Sequence, residues 1–222
     1  MKVLVVAPHM DDEVLGAGGT IARHVARGDF VSVVIMANRA YDHQYIPSEI
    51  EREQEATRRA QKILGYNELR FLQLPDEQLD KGLIDLLLPL EKVYAEVKPD
   101  VVYTCHRGDA HQDHQAVFKA TLVTCRPLNH HRPQRILCYE VPSSTDQVAP
   151  FPELQFAPNH YVALEESFLQ QKMEALRCYE RESRPFPHPR SIEGVMACAR
   201  KRGTEVNTEA AEAFFIVREI WK

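Results

Sequence analysis

Two short stretches of this chain carry side chains able to do chemistry together. Pro8-His9-Met10-Asp11-Asp12-Glu13 follows one β-branched run, and His106-Arg107-Gly108-Asp109-Ala110-His111-Gln112-Asp113-His114 follows another. Imidazole mixed with carboxylate suits zinc, iron or manganese. His9 and Asp12 stand three apart at a strand-to-helix turn, so both can converge on one point. The first stretch alone leaves two readings open: a metal site, or a helix N-terminus whose dipole is complemented by Asp11, Asp12 and Glu13. The second stretch favours the metal, because three histidines and two aspartates in nine residues make a poor candidate for a plain solvated loop. A dinucleotide fold would carry G-x-G-x-x-G at the first turn. Here the acids would repel phosphate, and Gly16, Gly18 and Gly19 fall inside a helical pattern, where they permit close helix–strand packing.

The elements that must position these residues alternate. Val3–Ala7 and Val31–Met36 are continuous apolar runs, as in a parallel sheet covered on both faces, and Leu69–Leu72, Val101–Cys105 and Arg135–Val141 continue the series. Helical stripes lie between them. Val14, Ala17, Ile21 and Val25 end at Gly28, and Ile50, Ala56, Ala60, Ile63 and Leu64 end at Gly65. Leu83 to Val97 ends before Pro99, with Pro89 predicting a kink or a late start, and Gln115–Cys125 ends before Pro127. The alternation predicts a Rossmann-like, doubly wound α/β fold, its mostly parallel sheet covered by helices on both faces. Strands 1 and 4 of such a sheet lie side by side at the switch point, so both chemical stretches should meet beyond their C-terminal ends. Pro142–Pro158 reads as a loop. Phe168 to Tyr179 and Ile192 to Ala199 read as helices, and Ala213–Val217 as a last short strand. One domain over 1–222 is expected, with a core over 1–141 and a loop-rich part over 142–222 completing the pocket.

At these positions the chain resembles the LmbE/PIG-L family of zinc-dependent N-acetylglucosaminyl-type deacetylases. Pro8 to Glu13 is similar to that family's P-H-x-D-D-E signature, and His111-Gln112-Asp113-His114 to its H-x-D-H motif. The likeness extends through Arg52 to Ala56, Lys62 to Gly65, His188 to Ser191 and Ala210 to Phe214. Met10 departs from the usual proline. The resemblance implies hydrolysis of the acetamide of an N-acetylated sugar or conjugate, with one Zn2+ per chain held by His9, Asp12 and His114. It further implies Asp11 as general base, His111 as electrophile or acid, and Asp113 orienting a histidine. Arg52 resembles a substrate-contacting arginine. Tyr139 near a strand end, and His188 with Arg190 after a Pro-rich stretch, are further candidate substrate contacts, and Glu140 to Thr145 a candidate sugar-pocket lining.

Composition narrows the alternatives. Lys and Arg number 27 against 32 Asp and Glu, a net charge of −5, which disfavours nucleic acid as partner. A chain of 222 residues with 44% apolar content can bury a core without staples. No apolar run is long enough for a signal segment or membrane span. Five scattered cysteines without a C-x-x-C pair point to reduced thiols in the cytoplasm. His106 reads as structural, and His24, His43, His130, His131 and His160 as structural or surface residues. Phe214, Phe215 and Trp221 read as packing. A homo-oligomer is left open. A non-haem iron oxygenase could use the same two-His-one-Asp set, and a non-catalytic metal-binding module is the third reading; an intact Asp11 speaks against the latter.

Overall fold

The computed structural model describes residues 1–127 and 131–221, so His130 lies outside the described residues. In chain order it contains β1 (Lys2–Ala7), α1 (Asp12–Ala26), β2 (Phe30–Asn38), α2 (Pro47–Leu64), β3 (Glu68–Pro75), α3 (Leu83–Val97) and β4 (Val101–Cys105). Then follow α4 (Gln112–Thr124), β5 (Arg135–Tyr139), a 3-10 turn (Thr145–Gln147), β6 (His160–Ala163), α5 (Glu166–Leu176), α6 (Ile192–Thr204) and β7 (Ala211–Glu219). The seven strands form one sheet in the order β3-β2-β1-β4-β5-β7-β6. The first five run parallel, and β7 lies antiparallel to both β5 and β6. Helices α1, α2 and α5 pack together, and α3 packs on α4, covering the two faces. The continuous apolar runs of β1 and β4 are interior strands, as expected, and they pair directly, Val3 beside Val101 and Val5 beside Tyr103. The switch point therefore lies where the two chemical stretches emerge.

Helix α1 approaches the sheet closely because it carries glycines. A Cβ at Gly16 would lie 2.1 Å from Tyr139 Cδ2, and one at Gly19 would lie 2.5 Å from Leu164 Cδ1. The same stretch of helix is bound from outside by a buried ion pair. Glu212 accepts from the backbone N–H groups of Gly19 (3.0 Å) and Thr20 (2.7 Å). Lys172 Nζ donates to that carboxylate (2.6 Å) and to the Leu15 carbonyl (2.9 Å). Both ends of the pair are thus satisfied, which a charge taken out of water requires.

Several boundaries differ from the sequence expectation. Helix α4 begins at Gln112 rather than Gln115, because His111 caps it: its side chain accepts from the Asp113 N–H (3.2 Å). Asp113 and His114 therefore sit in a helix's first turn and not in a loop. Helix α3 starts at Leu83 and contains Pro89, so the proline causes no late start. Strand β6 has no counterpart in the sequence reading; it is four residues long and lacks apolar alternation. Strand β7 runs longer than Ala213–Val217, since pairing with both β5 and β6 supports its whole length. Phe214 is fully buried, whereas Trp221 is 94% exposed and packs against nothing, lying beyond the last strand.

Candidate active site

The turn after β1 is shaped by side chains. The His9 N–H donates to Asp12 Oδ2 (2.9 Å), so Asp12 folds back over the turn it ends. Asp11, the N-cap of α1, takes φ 110° and makes no side-chain capping bond. A non-glycine residue held there costs about 1–3 kcal/mol. The capping reading of these acids thus fails for Asp11, whose carboxylate points instead at Arg190 (2.9 Å from Nη1).

His9, Asp12 and His114 come together although the two histidines are 105 residues apart. His9 Nδ1 lies 3.2 Å from Asp12 Oδ2, His114 Nε2 lies 3.3 Å from the same oxygen, and the two nitrogens are 3.3 Å apart. Tetrahedral ligands at the usual zinc bond lengths of about 2.0–2.1 Å are separated by about 3.3 Å, so this triangle matches one face of such a site. All three side chains are buried.

The far nitrogen of each imidazole explains why these edges are donors. His9 Nε2 lies 2.8 Å from Asp76 Oδ1 and 3.2 Å from Asp113 Oδ2. His114 Nδ1 lies 3.1 Å from Asp109 Oδ2. The hydrogen bond to Asp113 calls for an N–H at His9 Nε2, and the nearby Asp109 favours one at His114 Nδ1, which turns His9 Nδ1 and His114 Nε2 toward Asp12. A second grouping, His9 with Asp76 and His111, is also compact. It would need the His9 nitrogen already committed to two carboxylates, so the first set is the better ligand shell.

The electrostatics agree. Burial disfavours charged imidazole, yet Asp113, Asp12 and Asp76 outweigh it and raise His9 well above its ordinary pKa. Burial is likewise overcome at His114, where Asp12 and Asp109 push it up to about 9. Asp12 is held well below the carboxylate range, since His114 and His9 outweigh its burial. Carboxylates around these two imidazoles thus favour positive charge at them, and they in turn keep Asp12 ionised. The donor set, the lone-pair directions and the unpartnered Asp12 Oδ1 fit a divalent ion.

Around this centre stand the groups that could act on a substrate. Burial, foremost, pushes Asp11 up to about 7, with Arg190 opposing and Asp12 adding to the rise. His111 lies against both ligand rings, 4.8 Å from His9 and 5.0 Å from His114 between centroids. Its Nδ1 accepts the capping bond, so its Nε2 carries the proton. Burial, then the charges on His9 and His114, lowers it to about 4, so at neutral pH it is an uncharged donor rather than an imidazolium. Arg190 also reaches Ser143 Oγ (2.7 Å) and Glu182 (3.4 Å), and His188 Nδ1 accepts its backbone N–H (3.1 Å).

Two expected substrate contacts lie elsewhere. Tyr139 is fully buried and its hydroxyl donates to the Val6 carbonyl (2.8 Å), because its ring fills the space left by Gly16. Arg52 projects into solvent from α2 and reaches Glu49 at 3.5 Å. Other residues went unrecognised. Asp109 binds His114, the His111 N–H (2.9 Å), Thr145 Oγ1 (2.6 Å) and Ser144 Oγ. Asp76, just past β3, accepts from the Ala40 N–H (2.9 Å). Glu182 accepts from Arg39 (2.8 Å) and Tyr41 (3.1 Å). An acid next to a histidine-rich motif, or at the C-terminal end of a third strand, was the available signal for the first two; Glu182 carried none. His106 is structural, its Nε2 bonded to the Leu154 carbonyl (3.1 Å).

A buried carboxylate beside the candidate ligand set, used neither within it nor as a cap, speaks for an α/β enzyme over a binding scaffold. Comparison with known proteins gives the class its family. Residues 4–125 match the family described as PIG-L, GlcNAc-PI de-N-acetylase, and the chain belongs to it. It is similar to the uncharacterised deacetylase YaiS of Escherichia coli K12, 33% identical over 79% of this chain and 88% of that one. It also resembles a probable N-acetyl-α-D-glucosaminyl L-malate deacetylase of Bacillus subtilis 168, 30% identical over 66% of this chain and 70% of that one. Among solved structures, the conserved protein TT1542 of Thermus thermophilus matches with a TM-score of 0.81 at 25% identity, covering 100% of this chain and 97% of that one. The 4-carboxy-2-hydroxymuconate hydratase GalB of Pseudomonas putida KT2440 matches at 0.74 and 21% identity, over 100% of this chain and 98% of that one, a likeness of fold alone.

Proposed function

We propose that this enzyme is a zinc-dependent N-deacetylase that hydrolyses the acetamide of an N-acetylated sugar or sugar conjugate, releasing acetate and a free amine. The observation that carries the reading is the triangle of His9, Asp12 and His114 with the Asp11 carboxylate beside it, one oxygen on Arg190 and the other without a partner. His9, Asp12 and His114 would hold one zinc ion, which when bound supplies a Lewis acid for the amide carbonyl and a lowered pKa for water. Asp11 takes the proton from the attacking water and passes it to the departing amine. His111 donates its Nε2 proton in a hydrogen bond to the oxyanion that develops on the acetyl carbon. Asp113 and Asp109 hold the ligand rings in register, and Arg190 holds Asp11, with His188 setting the turn that carries Arg190. Arg52 stands at most at the rim.

Residues 142–222 complete the pocket on this reading, since Ser143, Glu182 and Arg190 all come from that part. Cytoplasmic location is supported by five unpaired cysteines, and no helix among the described residues is long and apolar enough to cross a membrane. The test is acetate release from a panel of N-acetyl sugars by zinc-loaded protein under anaerobic conditions. Release dependent on zinc supports the assignment and excludes the oxygenase reading. Zinc-loaded protein that releases acetate from no member of the panel overturns it.

A further inference from the structure

The end of the sheet away from the active site, at the start of β1 and β5, carries a cleft that the deacetylase reading does not use. Its volume is about 380 Å³, in the range of small-molecule sites. It is bounded by the second half of α1, by Tyr103 of β4, by Arg135 at the start of β5 and by β6. At about 1.5 Å per residue, α1 carries the chain roughly 20 Å from Asp12 to this end. From the geometry we infer that the cleft is a binding site for a small phosphomonoester.

Three guanidinium groups, Arg23, Arg27 and Arg135, line it from two elements. Their counter-ions are distant or missing: Arg23 donates to the Ala163 carbonyl (3.0 Å) but stands 3.8 Å from Glu165, and Arg135 stands 3.9 Å from Glu219, both acids well exposed. Arg27 has no ion pair among the described residues. By contrast, Arg202 is closely matched with Glu140 at 2.6 Å. Two other acids near the cleft are already engaged: Asp29 by His24 (2.7 Å) and the α-amino group (2.6 Å), and Glu212 by Lys172 (2.6 Å).

The second observation is Thr20. Its hydroxyl is buried within the cleft lining and has no partner, although a helical threonine ordinarily bonds back to its own helix. An unsatisfied buried hydroxyl in a cleft lined by three cations without close counter-ions fits an oxyanion ligand. Basic residues in the last turn of α1 also complement its dipole, which accounts for Arg23 and Arg27. It accounts neither for Arg135, which arrives from a strand, nor for Thr20. The cavity far exceeds inorganic phosphate, so the ligand carries an organic group, for which Tyr103 and His160 offer ring surfaces.

Calorimetric titration of the zinc-loaded full chain with glucose 6-phosphate, at about 0.15 M salt, tests this, with glucose and inorganic phosphate as controls. The expected result is saturable binding of the sugar phosphate, weaker binding of phosphate and none of glucose. Arg27→Glu and Arg135→Glu should each weaken it about tenfold or more, and Thr20→Val should weaken it less, while acetate release and zinc content stay unchanged. Binding that survives both charge reversals, or the absence of saturable binding, overturns the proposal. Because the deacetylase assay is read separately, failure here leaves that assignment standing, and the converse holds.

Discussion

His9 and His24 are both buried imidazoles clamped by carboxylates, yet they do different work. His9 has Asp76 and Asp113 on one nitrogen, and its other nitrogen faces Asp12 and His114. His24 has Asp29 on Nδ1 at 2.7 Å, but its Nε2 meets the Tyr103 hydroxyl at 3.0 Å, so no lone pairs converge there. Carboxylate bracing alone therefore does not make a histidine a ligand; the second nitrogen must face further donors. The electrostatics diverge accordingly. Several acids surround His9 and pull it up. At His24 burial wins over Asp29, with Arg27 and Arg135 adding to the fall.

Removing a ligand should break the contrast most severely. His114→Ala is expected to take zinc from about one per chain to near none and to abolish acetate release, while His24→Ala keeps its zinc. Elemental analysis of both purified variants decides, and a fully loaded His114 variant would remove that residue from the ligand set. Next in size is Asp11→Asn, which should retain zinc but lose about 10²–10⁴-fold in turnover, as loss of a positioned base does. Unchanged turnover with zinc present would strip Asp11 of the base role. Asp109→Asn should act more gently, weakening zinc binding about 10–100-fold by loosening the His114 ring. Competition against a chelator measures it, and equal affinity would mean that the 3.1 Å contact braces nothing.

What the sequence made legible follows the same physics. The proposed ligands His9, Asp12 and His114 sit in short motifs just past two strands, and an α/β alternation places those strand ends together. Their braces were legible only in part. Asp113 and Asp109 share the histidine-rich stretch, but Asp76 comes from beyond β3, and its approach to His9 depends on how far that strand runs. Glu182 and Arg190 come from the connection between α5 and α6 and Arg39 from the loop after β2, and no periodicity specifies such a meeting. Tyr139 shows the reverse error. Closeness to a strand end suggested the pocket, but a glycine one layer above draws the ring inward and the Val6 carbonyl accepts its hydroxyl hydrogen bond.

The smallest expected effect sharpens the contrast from the side of His24. Its pKa is depressed in the folded chain, where burial outweighs the pull of Asp29, whereas an unfolded chain protonates it at the ordinary value of about 6.5. As pH falls through that value the unfolded state takes up a proton that the folded state refuses, so stability is lost toward acid and is fully present above it. His24→Gln cannot take that proton, and its stability should fall less steeply between about pH 7 and pH 5 than that of the parent. The difference in slope cannot exceed about 1.4 kcal/mol per pH unit, the limit for one proton. Urea denaturation of both proteins across this range isolates the effect, because the titrations of His9 and His114 are common to both and cancel. Parallel curves would mean that His24 protonates as readily folded as unfolded, and the contrast with His9 would then rest on geometry alone.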